Sequence, residues 1–217
     1  MSLRTLAVIG TAGRDKTKIM DRSLWNAMFE DFIDRVRSDD TLVSGGAAWA
    51  DHLAVQAFLI LRCQGIRLYL PAPLVKTEKG WRFQELGPRS SGGAANYYHE
   101  RFSAALRQDT RAQIAEAAKY GAVINAEPAS AGFKAMFARN RKVANACNAI
   151  LAYTFNSGDE PADGGTLDTW RQVQSTDRVH VDLGALGMRY RRQLAQDEPE
   201  DRAAESARAG QLPRLHF

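Results

Sequence analysis

The residues "LAVIGTAG" at positions 6–13 decide the fold class of this chain. They are typical of a short apolar strand that runs directly into a glycine turn. The residues "TLVSGGA" at positions 41–47 repeat this pattern. Between the two stretches, apolar side chains recur at helical spacing, and they are Leu24, Met28, Phe32 and Val36. The sequence therefore predicts a helix that connects two strands of the same kind.

The alternation of strands and helices continues along the chain. A second helix is predicted over 50–61, and the residues "IRLYLPA" at 66–72 form a third apolar strand. Buried strands that alternate with helices indicate a parallel sheet with right-handed crossovers. After residue 130 the order returns, with a helix at 131–148, a strand at 149–155, a helix at 166–173 and a strand at 179–183. We expect an α/β protein with a Rossmann-like, doubly wound, mainly parallel sheet that is flanked by helices.

The predicted domain organisation is one Rossmann-like domain over residues 1–187 and a separate C-terminal segment over residues 188–217. Residues 74–130 interrupt the alternation after the third strand, so we expect them to form an insertion over the sheet. Within it, 84–98 is rich in Gly, Ser and Pro and predicts a loop, and 104–119 predicts a helix. Residues 188–217 carry dense mixed charge, which predicts a solvated tail or a helix docked on a partner.

Composition limits the classes of function. The 217 residues are 45% hydrophobic, which is enough for a sizeable core. The longest apolar stretch, at 53–61, is too short to span a bilayer, and no basic region followed by an apolar one opens the chain. We expect a soluble, cytoplasmic protein without a membrane partner. The net charge of +4 permits an anionic partner without requiring a nucleic acid.

The two cysteines, Cys63 and Cys147, lie among apolar residues without the spacing of metal ligands. We expect buried free thiols, and neither a metal site nor a redox cofactor. The sequence also lacks a G-x-G-x-x-G fingerprint and a P-loop, so neither an NAD-binding nor an ATP-hydrolysing site is predicted.

Three glycine turns are predicted at the carboxyl edge of the sheet, where parallel strands bind ligands and helix N-termini attract anions. Glycine lets the backbone approach a phosphate closely. Each turn by itself is also explained as an ordinary tight turn. Together the turns predict a phosphate site. The candidate residues are Gly10, Thr11, Gly13 and Arg14 in the first turn, Ser44, Gly45 and Gly46 in the second, and Gly164, Gly165 and Thr166 in the third.

The helix predicted over 131–148 carries further candidates. At about 100° per residue its apolar stripe contains Asn140 near the centre, so this amide needs a hydrogen-bonding partner in the protein or in a ligand. Arg139 and Arg141 flank the stripe on opposite edges. One of them can face a ligand while the other meets solvent, and an ion pair at the surface remains the alternative for each.

Two motifs resemble the DNA-processing protein A family. The residues "SGGAAWADHLA" at 44–54 match its S-G-x-A-x-G-x-D segment, with Asp51 in place and Trp49 where the family has glycine. The residues "ARNRKVANACNAILAY" at 138–153 are similar to its R-N-R-x-x-A-x-x-x-D-x-x-x-V run, with Asn148 where aspartate is usual.

A third motif, "GGTLDTW" at 164–170, resembles the S-G-[ST]-L-x-T turn of the same family. The chain is therefore identified as a member of the SLOG superfamily, which joins those proteins to the Lonely Guy phosphoribohydrolases. The resemblance implies a nucleotide-like ligand and a homodimer or higher homo-oligomer.

The resemblance to the Lonely Guy enzymes leaves catalysis open. Those enzymes use an arginine on the helix and a glutamate at the turn to cleave the N-glycosidic bond of nucleoside monophosphates. Here Arg141 matches the arginine, but Thr169 occupies the glutamate position. Asp168 and Asp51 are the remaining candidate carboxylates, and each is also explained as a residue in the first turn of a helix.

We therefore expect a protein that binds a nucleotide or a nucleotide-derived ligand, with weak phosphoribohydrolase-like activity as an open question. One alternative is a single-stranded DNA-binding protein, since the aromatic residues Trp81, Phe83, Tyr97 and Tyr98 could stack on bases. Another alternative is a non-enzymatic sensor of a signalling nucleotide, with the insertion closing over the site as a lid.

Overall fold

The structure is a computed structural model that describes residues 3–161 and 164–209. Its strands are β1 (Thr5–Gly10), β2 (Thr41–Ser44), β3 (Gly65–Leu70), β4 (Leu74–Thr77), β5 (Gly80–Phe83), β6 (Val123–Ala126), β7 (Ala149–Thr154) and β8 (Arg178–Asp182). Its helices are α1 (Arg22–Arg35), α2 (His52–Leu59), α3 (Ser91–Leu106), α4 (Thr110–Lys119), α5 (Lys134–Asn145), α6 (Gly164–Gln172) and α7 (Leu183–Ala209), and a 3₁₀ turn, Trp49–Asp51, precedes α2.

Six strands form one sheet in the order β6-β3-β2-β1-β7-β8, and every neighbouring pair is parallel. The order reverses direction at β1, so the sheet is doubly wound, with β1 beside both β2 and β7. The Rossmann-like fold class predicted from the sequence is confirmed. This reversal matters for function because ligands of such sheets bind at the switch point, beyond the carboxyl ends of the strands.

Strand β1 contributes side chains to two hydrophobic cores, one on each face of the sheet. Leu6 and Val8 belong to a core that contains the apolar side of α1 and α2, whereas Ala7 and Ile9 belong to a core formed with α5 and α6. All four side chains are at most 5% exposed. A strand that is covered on both faces reads as a continuous apolar run, which is why "LAVI" predicted a buried strand.

The segment predicted as an insertion does not lie wholly outside the sheet. Its last part, β6, pairs in parallel with β3 and forms the edge of the main sheet, with Arg67 opposite Val123. The rest comprises the antiparallel hairpin of β4 and β5, followed by α3 and α4. β6 is only four residues long and is mostly exposed, so it lacks the long buried apolar run that marks a central strand.

The loop predicted over 84–98 is wrong in its second half, where α3 begins at Ser91. Ser90 caps this helix, since its hydroxyl oxygen accepts a hydrogen bond of 3.1 Å from the Gly93 N–H. A side chain at Gly92 would overlap the carbonyl of Gln84, and a Cβ at Gly93 would lie 2.7 Å from the carbonyl oxygen of Gly87. The glycines therefore allow close packing of the helix on the preceding loop and do not indicate an irregular chain.

The single helix predicted over 104–119 is two helices. Arg107 ends α3 in a left-handed conformation with φ of 55°. Asp109 then caps α4, because its Oδ1 accepts hydrogen bonds from the N–H groups of Arg111 (3.1 Å) and Ala112 (3.0 Å). The cap signal in the sequence was missed because the apolar spacing continues across the break.

The predicted tail begins as part of α7, which starts at Leu183, five residues earlier than the predicted boundary at 188. Its first turns pack on α1: the Tyr190 hydroxyl lies 3.0 Å from Glu30 Oε1, and Arg191 pairs with Asp21 at 3.1 Å. Residues 210–217 of this segment lie outside the described residues.

None of the helices in the described part of the chain combines the length and apolar character that crossing a bilayer requires. Cys63 and Cys147 are free and half-buried, and burial raises the pKa of each thiol to about 11.

Candidate functional site

The three glycine turns meet at one cavity of about 540 Å³ beyond the carboxyl ends of β1, β2 and β7. Gly10, Gly45 and Gly165 all border it. The convergence follows from the topology, because the carboxyl ends of neighbouring parallel strands share one edge of the sheet.

The first turn is held tightly against β7. The Thr11 N–H donates to the carbonyl of Tyr153 at 2.9 Å, and a Cβ on Gly10 would overlap that carbonyl and lie 2.7 Å from the Cβ of Ala50. Glycine is therefore required at position 10. Within residues 3–161 and 164–209, the Ala12 N–H at the cavity has no acceptor, so this turn offers a backbone donor.

The N–H donors of the second turn are hydrogen-bonded to other groups of the protein. The N–H groups of Gly45 and Ala47 donate to Oδ2 of Asp51 at 3.1 and 3.4 Å, and the Ser44 hydroxyl donates to the backbone carbonyl of Asp51 at 2.8 Å. Ser44 is fully buried and does not border the cavity. The carboxylate of Asp51 thus occupies the position that an anionic ligand was predicted to fill at this turn.

Asp51 and Arg139 form a buried pair under the second turn. Arg139 Nη1 donates to the carbonyl of Gly45 and lies 3.9 Å from Asp51 Oδ2. Burial raises the pKa of the Asp51 carboxyl, while the Arg139 charge and the two backbone N–H groups counteract the rise. Both side chains border the cavity, so they shape its wall and its field.

The third turn begins α6 at Gly164, which has φ of +74°. Two side chains fix it: the Asn140 amide donates to the carbonyl of Gly165 at 3.3 Å, and the Thr166 hydroxyl donates to the carbonyl of Gly10 at 3.1 Å. The first N–H groups of a helix have no partner within the helix. The N-terminus of α6 therefore presents donors and a positive dipole end at the cavity.

The remaining wall of the cavity is aromatic and basic. Four aromatic residues border it, and they are Tyr98, Phe133, Phe137 and Phe155. Phe133 and Phe137 are 49% and 60% exposed, so their rings are available to a ligand. The guanidinium of Arg14 stacks over the ring of Tyr98 at 5.7 Å and borders the same space.

The helix that carries Arg139, Asn140 and Arg141 is oriented differently from the prediction. Arg139 is buried at 8% exposure, Asn140 is half-buried at the cavity, and Arg141 is exposed and does not border the cavity. The buried face of α5 centres on Met136, Arg139 and Val143. Helical periodicity missed this orientation because a buried arginine becomes acceptable only when its partners, here Asp51 and the Gly45 carbonyl, are known.

The two residues predicted as catalytic, Asp168 and Arg141, are both exposed, and neither borders the cavity. Thr169, which occupies the glutamate position, is buried at the cavity, and its hydroxyl donates to the carbonyl of Gly165 at 2.8 Å. Among the described residues, the carboxylates that border the cavity are those of Asp15 and Asp51.

The buried His99 supports the second turn, with the buried His52 beside it, and sequence analysis missed both histidines. Because a carbonyl can only accept, His99 Nε2 donates to the carbonyl of Gly46 at 3.0 Å, and Nδ1 then accepts from the Thr110 hydroxyl at 2.9 Å. His52 bonds Gln113 at 2.8 Å, and its ring lies 5.9 Å from that of His99. Burial lowers the pKa of His52 to about 4 and that of His99 to about 3, so both rings are neutral.

Across residues 3–161 and 164–209, no group of three His, Cys, Asp or Glu side chains is arranged to hold a metal ion.

Comparisons with known proteins place the chain as follows. No family model matches it. A solved structure of DNA processing protein A from Helicobacter pylori, described for its single-stranded DNA binding mode, has a TM-score of 0.42 and 13% identity over 90% of this chain and 82% of that chain. An uncharacterized protein of Acanthamoeba polyphaga mimivirus is 32% identical over 190 residues, and the match covers 82% of this chain and 95% of that protein. The chain therefore belongs to the same family as this mimivirus protein.

Proposed function

We propose that the protein binds a nucleotide or a nucleotide-derived small molecule in the cavity, with a phosphate against the first and third glycine turns. The observation that carries this proposal is the convergence of the turns around Gly10 and Gly165 on one cavity at the switch point of a parallel sheet. Such edges bind phosphorylated ligands because backbone N–H groups and helix dipoles meet there.

The phosphate contacts follow from the donors that the fold leaves available. The Ala12 N–H and the first N–H groups of α6 supply backbone donors, and the hydroxyl of Thr11 borders the same space. Arg14 supplies the positive charge, because Arg139 is already committed to Asp51 and to the Gly45 carbonyl. A guanidinium can bind a phosphate through two parallel hydrogen bonds.

The rest of the cavity suits the nucleoside. Its volume of about 540 Å³ lies within the ordinary range of small-molecule sites. The exposed rings of Phe133 and Phe137 can stack on a base. The ring of Tyr98 lies 5.7 Å from the guanidinium of Arg14.

We favour binding without glutamate-dependent hydrolysis. The phosphoribohydrolase reaction of the Lonely Guy enzymes needs a carboxylate where this chain has Thr169, and the hydroxyl of Thr169 is bonded to the carbonyl of Gly165. Membership of the SLOG superfamily remains our inference from the three motifs, which lie around the same cavity. A non-enzymatic nucleotide sensor is the role most consistent with this set of side chains.

Calorimetric titration with the 5′-monophosphates of the four common ribonucleosides and with ADP-ribose tests the proposal. We expect at least one of them to bind, and Arg14→Gln to weaken its binding by about 1.5–3 kcal/mol, the scale of a hydrogen bond to a charged group. Lys79→Gln, an exposed charge on the hairpin, is the matched control and should leave the affinity unchanged.

The same titration includes a single-stranded oligonucleotide. If every mononucleotide fails while the oligonucleotide binds with a steep dependence on salt, the proposal is wrong and a nucleic-acid-binding function replaces it.

A further inference from the structure

A second, smaller pocket opens beside the cavity. Its volume is about 100 Å³, less than a fifth of that of the cavity. It shares Ala12, Asp15 and Tyr98 with the lining of the cavity, so the two spaces are adjacent. We call this pocket the annex, and its other lining residues are Gly13, Lys16, Lys18, Met20, Trp49 and Arg101. It has room for a compact group and none for a nucleoside.

The annex is positively charged. Three cationic side chains line it, those of Lys16, Lys18 and Arg101, and none of them is paired with a carboxylate in the described part of the chain. The single carboxylate in the lining, Asp15, accepts hydrogen bonds from the N–H and the hydroxyl of Thr17 at 2.9 and 2.7 Å. Three cations against one carboxylate leave a positive potential in a partly enclosed space, which attracts an anion.

The side chain of Trp49 also lines the annex. The residue is only 3% exposed, and within residues 3–161 and 164–209 no acceptor is hydrogen-bonded to its indole N–H. Gly13 keeps this donor accessible, because a Cβ at position 13 would lie 3.0 Å from Trp49 Nε1. The indole N–H is a donor only, so it can bind an acceptor such as a phosphate oxygen.

The backbone at Trp49 supports a specific role for this side chain. Its φ of 64° is a left-handed conformation that bulky residues rarely adopt. Trp49 stands where the DNA-processing protein A pattern has glycine, which adopts this conformation without strain. Packing of the indole on Phe102, with ring centroids 4.6 Å apart, holds the tryptophan in place. The annex donor is therefore a feature of this chain and not of the motif that it resembles.

We propose that the annex binds a second phosphate of the ligand, so that the protein selects a nucleotide with two separate phosphate groups over one with a single phosphate. This inference rests on the proposed function, because the first phosphate and the nucleoside occupy the cavity. The two phosphates are distinguished by their partners: the first is bound by backbone N–H groups and Arg14, and the second by Lys16, Lys18, Arg101 and the indole N–H of Trp49.

The test compares each ribonucleoside 3′,5′-bisphosphate with its own 5′-monophosphate by calorimetry at low ionic strength. We expect the bisphosphate to bind about tenfold or more tightly, and the difference to shrink as salt is added. Neutralising Lys16, Lys18 and Arg101 together as glutamines should bring the affinity ratio of bisphosphate to monophosphate close to one. Trp49→Phe, which keeps the ring and removes the N–H, should lower the same ratio in part.

Lys76→Gln combined with Lys79→Gln is the control, because both lysines are exposed on the β4–β5 hairpin, and it should keep the ratio of the unmodified protein. If a monophosphate binds and its bisphosphate binds no more tightly at low salt, the annex proposal is overturned while the proposed function stands. An unchanged ratio in the triple variant would also overturn it. If neither ligand of any pair binds, the proposed function itself fails.

Discussion

Arg139 Nη1 lies 3.9 Å from Asp51 Oδ2 beneath the second glycine turn, and both residues are buried. The pair joins two segments that are 88 positions apart in the chain, the 3₁₀ turn after β2 and the helix α5. Because Asp51 also accepts from the N–H groups of Gly45 and Ala47, one carboxylate fixes both the turn and the helix beside the cavity.

We expect Asp51→Asn to destabilise the protein by about 3 kcal/mol, because it leaves a buried guanidinium without its counter-charge. Urea unfolding at neutral pH measures this change. The double variant Asp51→Asn with Arg139→Leu should lose less than the sum of the two single variants. Additive losses would show that the two side chains stabilise the fold independently.

Gly165→Asp should abolish ligand binding, because it places a carboxylate at the N-terminus of α6, where the phosphate is proposed to lie. Gly65→Asp is the matched control: Gly65 begins β3 at the opposite end of the sheet, and no atom lies within 4 Å of a Cβ added there. Titration of both variants with the best mononucleotide is the measurement. Equal affinity in the two variants would remove the third turn from the site.

Arg141→Ala and Asp168→Asn should each change ligand binding by less than about 0.5 kcal/mol, because both residues are exposed and neither borders the cavity. The sequence alone assigned catalytic roles to this pair, so the substitutions separate the two interpretations. Calorimetry measures the affinity, and release of free base from a nucleoside monophosphate measures hydrolysis. Loss of an observed hydrolytic activity in either variant would restore the catalytic assignment.

Acidification should destabilise the protein through His52 and His99. Their pKa values fall from 6.5 in the unfolded chain to about 4 and about 3 in the fold, so below pH 6.5 the unfolded chain binds more protons. The stability that they contribute is complete above pH 6.5. As the pH falls toward 4, the folding equilibrium constant decreases by up to about tenfold per pH unit for each histidine.

Urea unfolding at pH 7 and pH 5 measures this dependence. His99→Gln should reduce the slope by about one proton, although it also lowers the stability at pH 7. A stability that is the same at both pH values in the unmodified protein would contradict the assignment of neutral, buried imidazoles.

Self-association remains a prediction from the SLOG resemblance. Light scattering at micromolar concentrations should give a mass of at least twice the 24.0 kDa of one chain. A mass of one chain across that concentration range would argue against it.

The order of strands and helices could be predicted from the sequence because central parallel strands are continuous apolar runs, as in Leu6 to Ile9. The convergence of Gly10, Gly45 and Gly165 followed from that order alone. Edge strand β6 and the start of α3 could not be predicted, since the former is short and mostly exposed and the glycines of the latter are typical of loops.

The side-chain roles at the site were harder to predict. Whether Arg139 or Arg141 faces inward depends on Asp51, which lies on another element, and periodicity carries no information about that partner. Ser44 and Asp51 make hydrogen bonds within the second turn. The spacing of residues in the sequence does not reveal these bonds, because they depend on the folded geometry. The motif departure at Trp49 was visible in the sequence, but its left-handed backbone and its free N–H became apparent only in the structure.

The hydrogen bond from His99 to the carbonyl of Gly46 has a consequence for how this protein could change over generations. It means that α3 supports the second glycine turn and could not be removed without loss of this contact. The Gly46 carbonyl thus accepts a hydrogen bond from a residue 53 positions downstream. Variation in the length or packing of α3 and α4 is therefore restricted to changes that keep this imidazole in place, and a relative that lost these helices would need another buried donor for the same carbonyl.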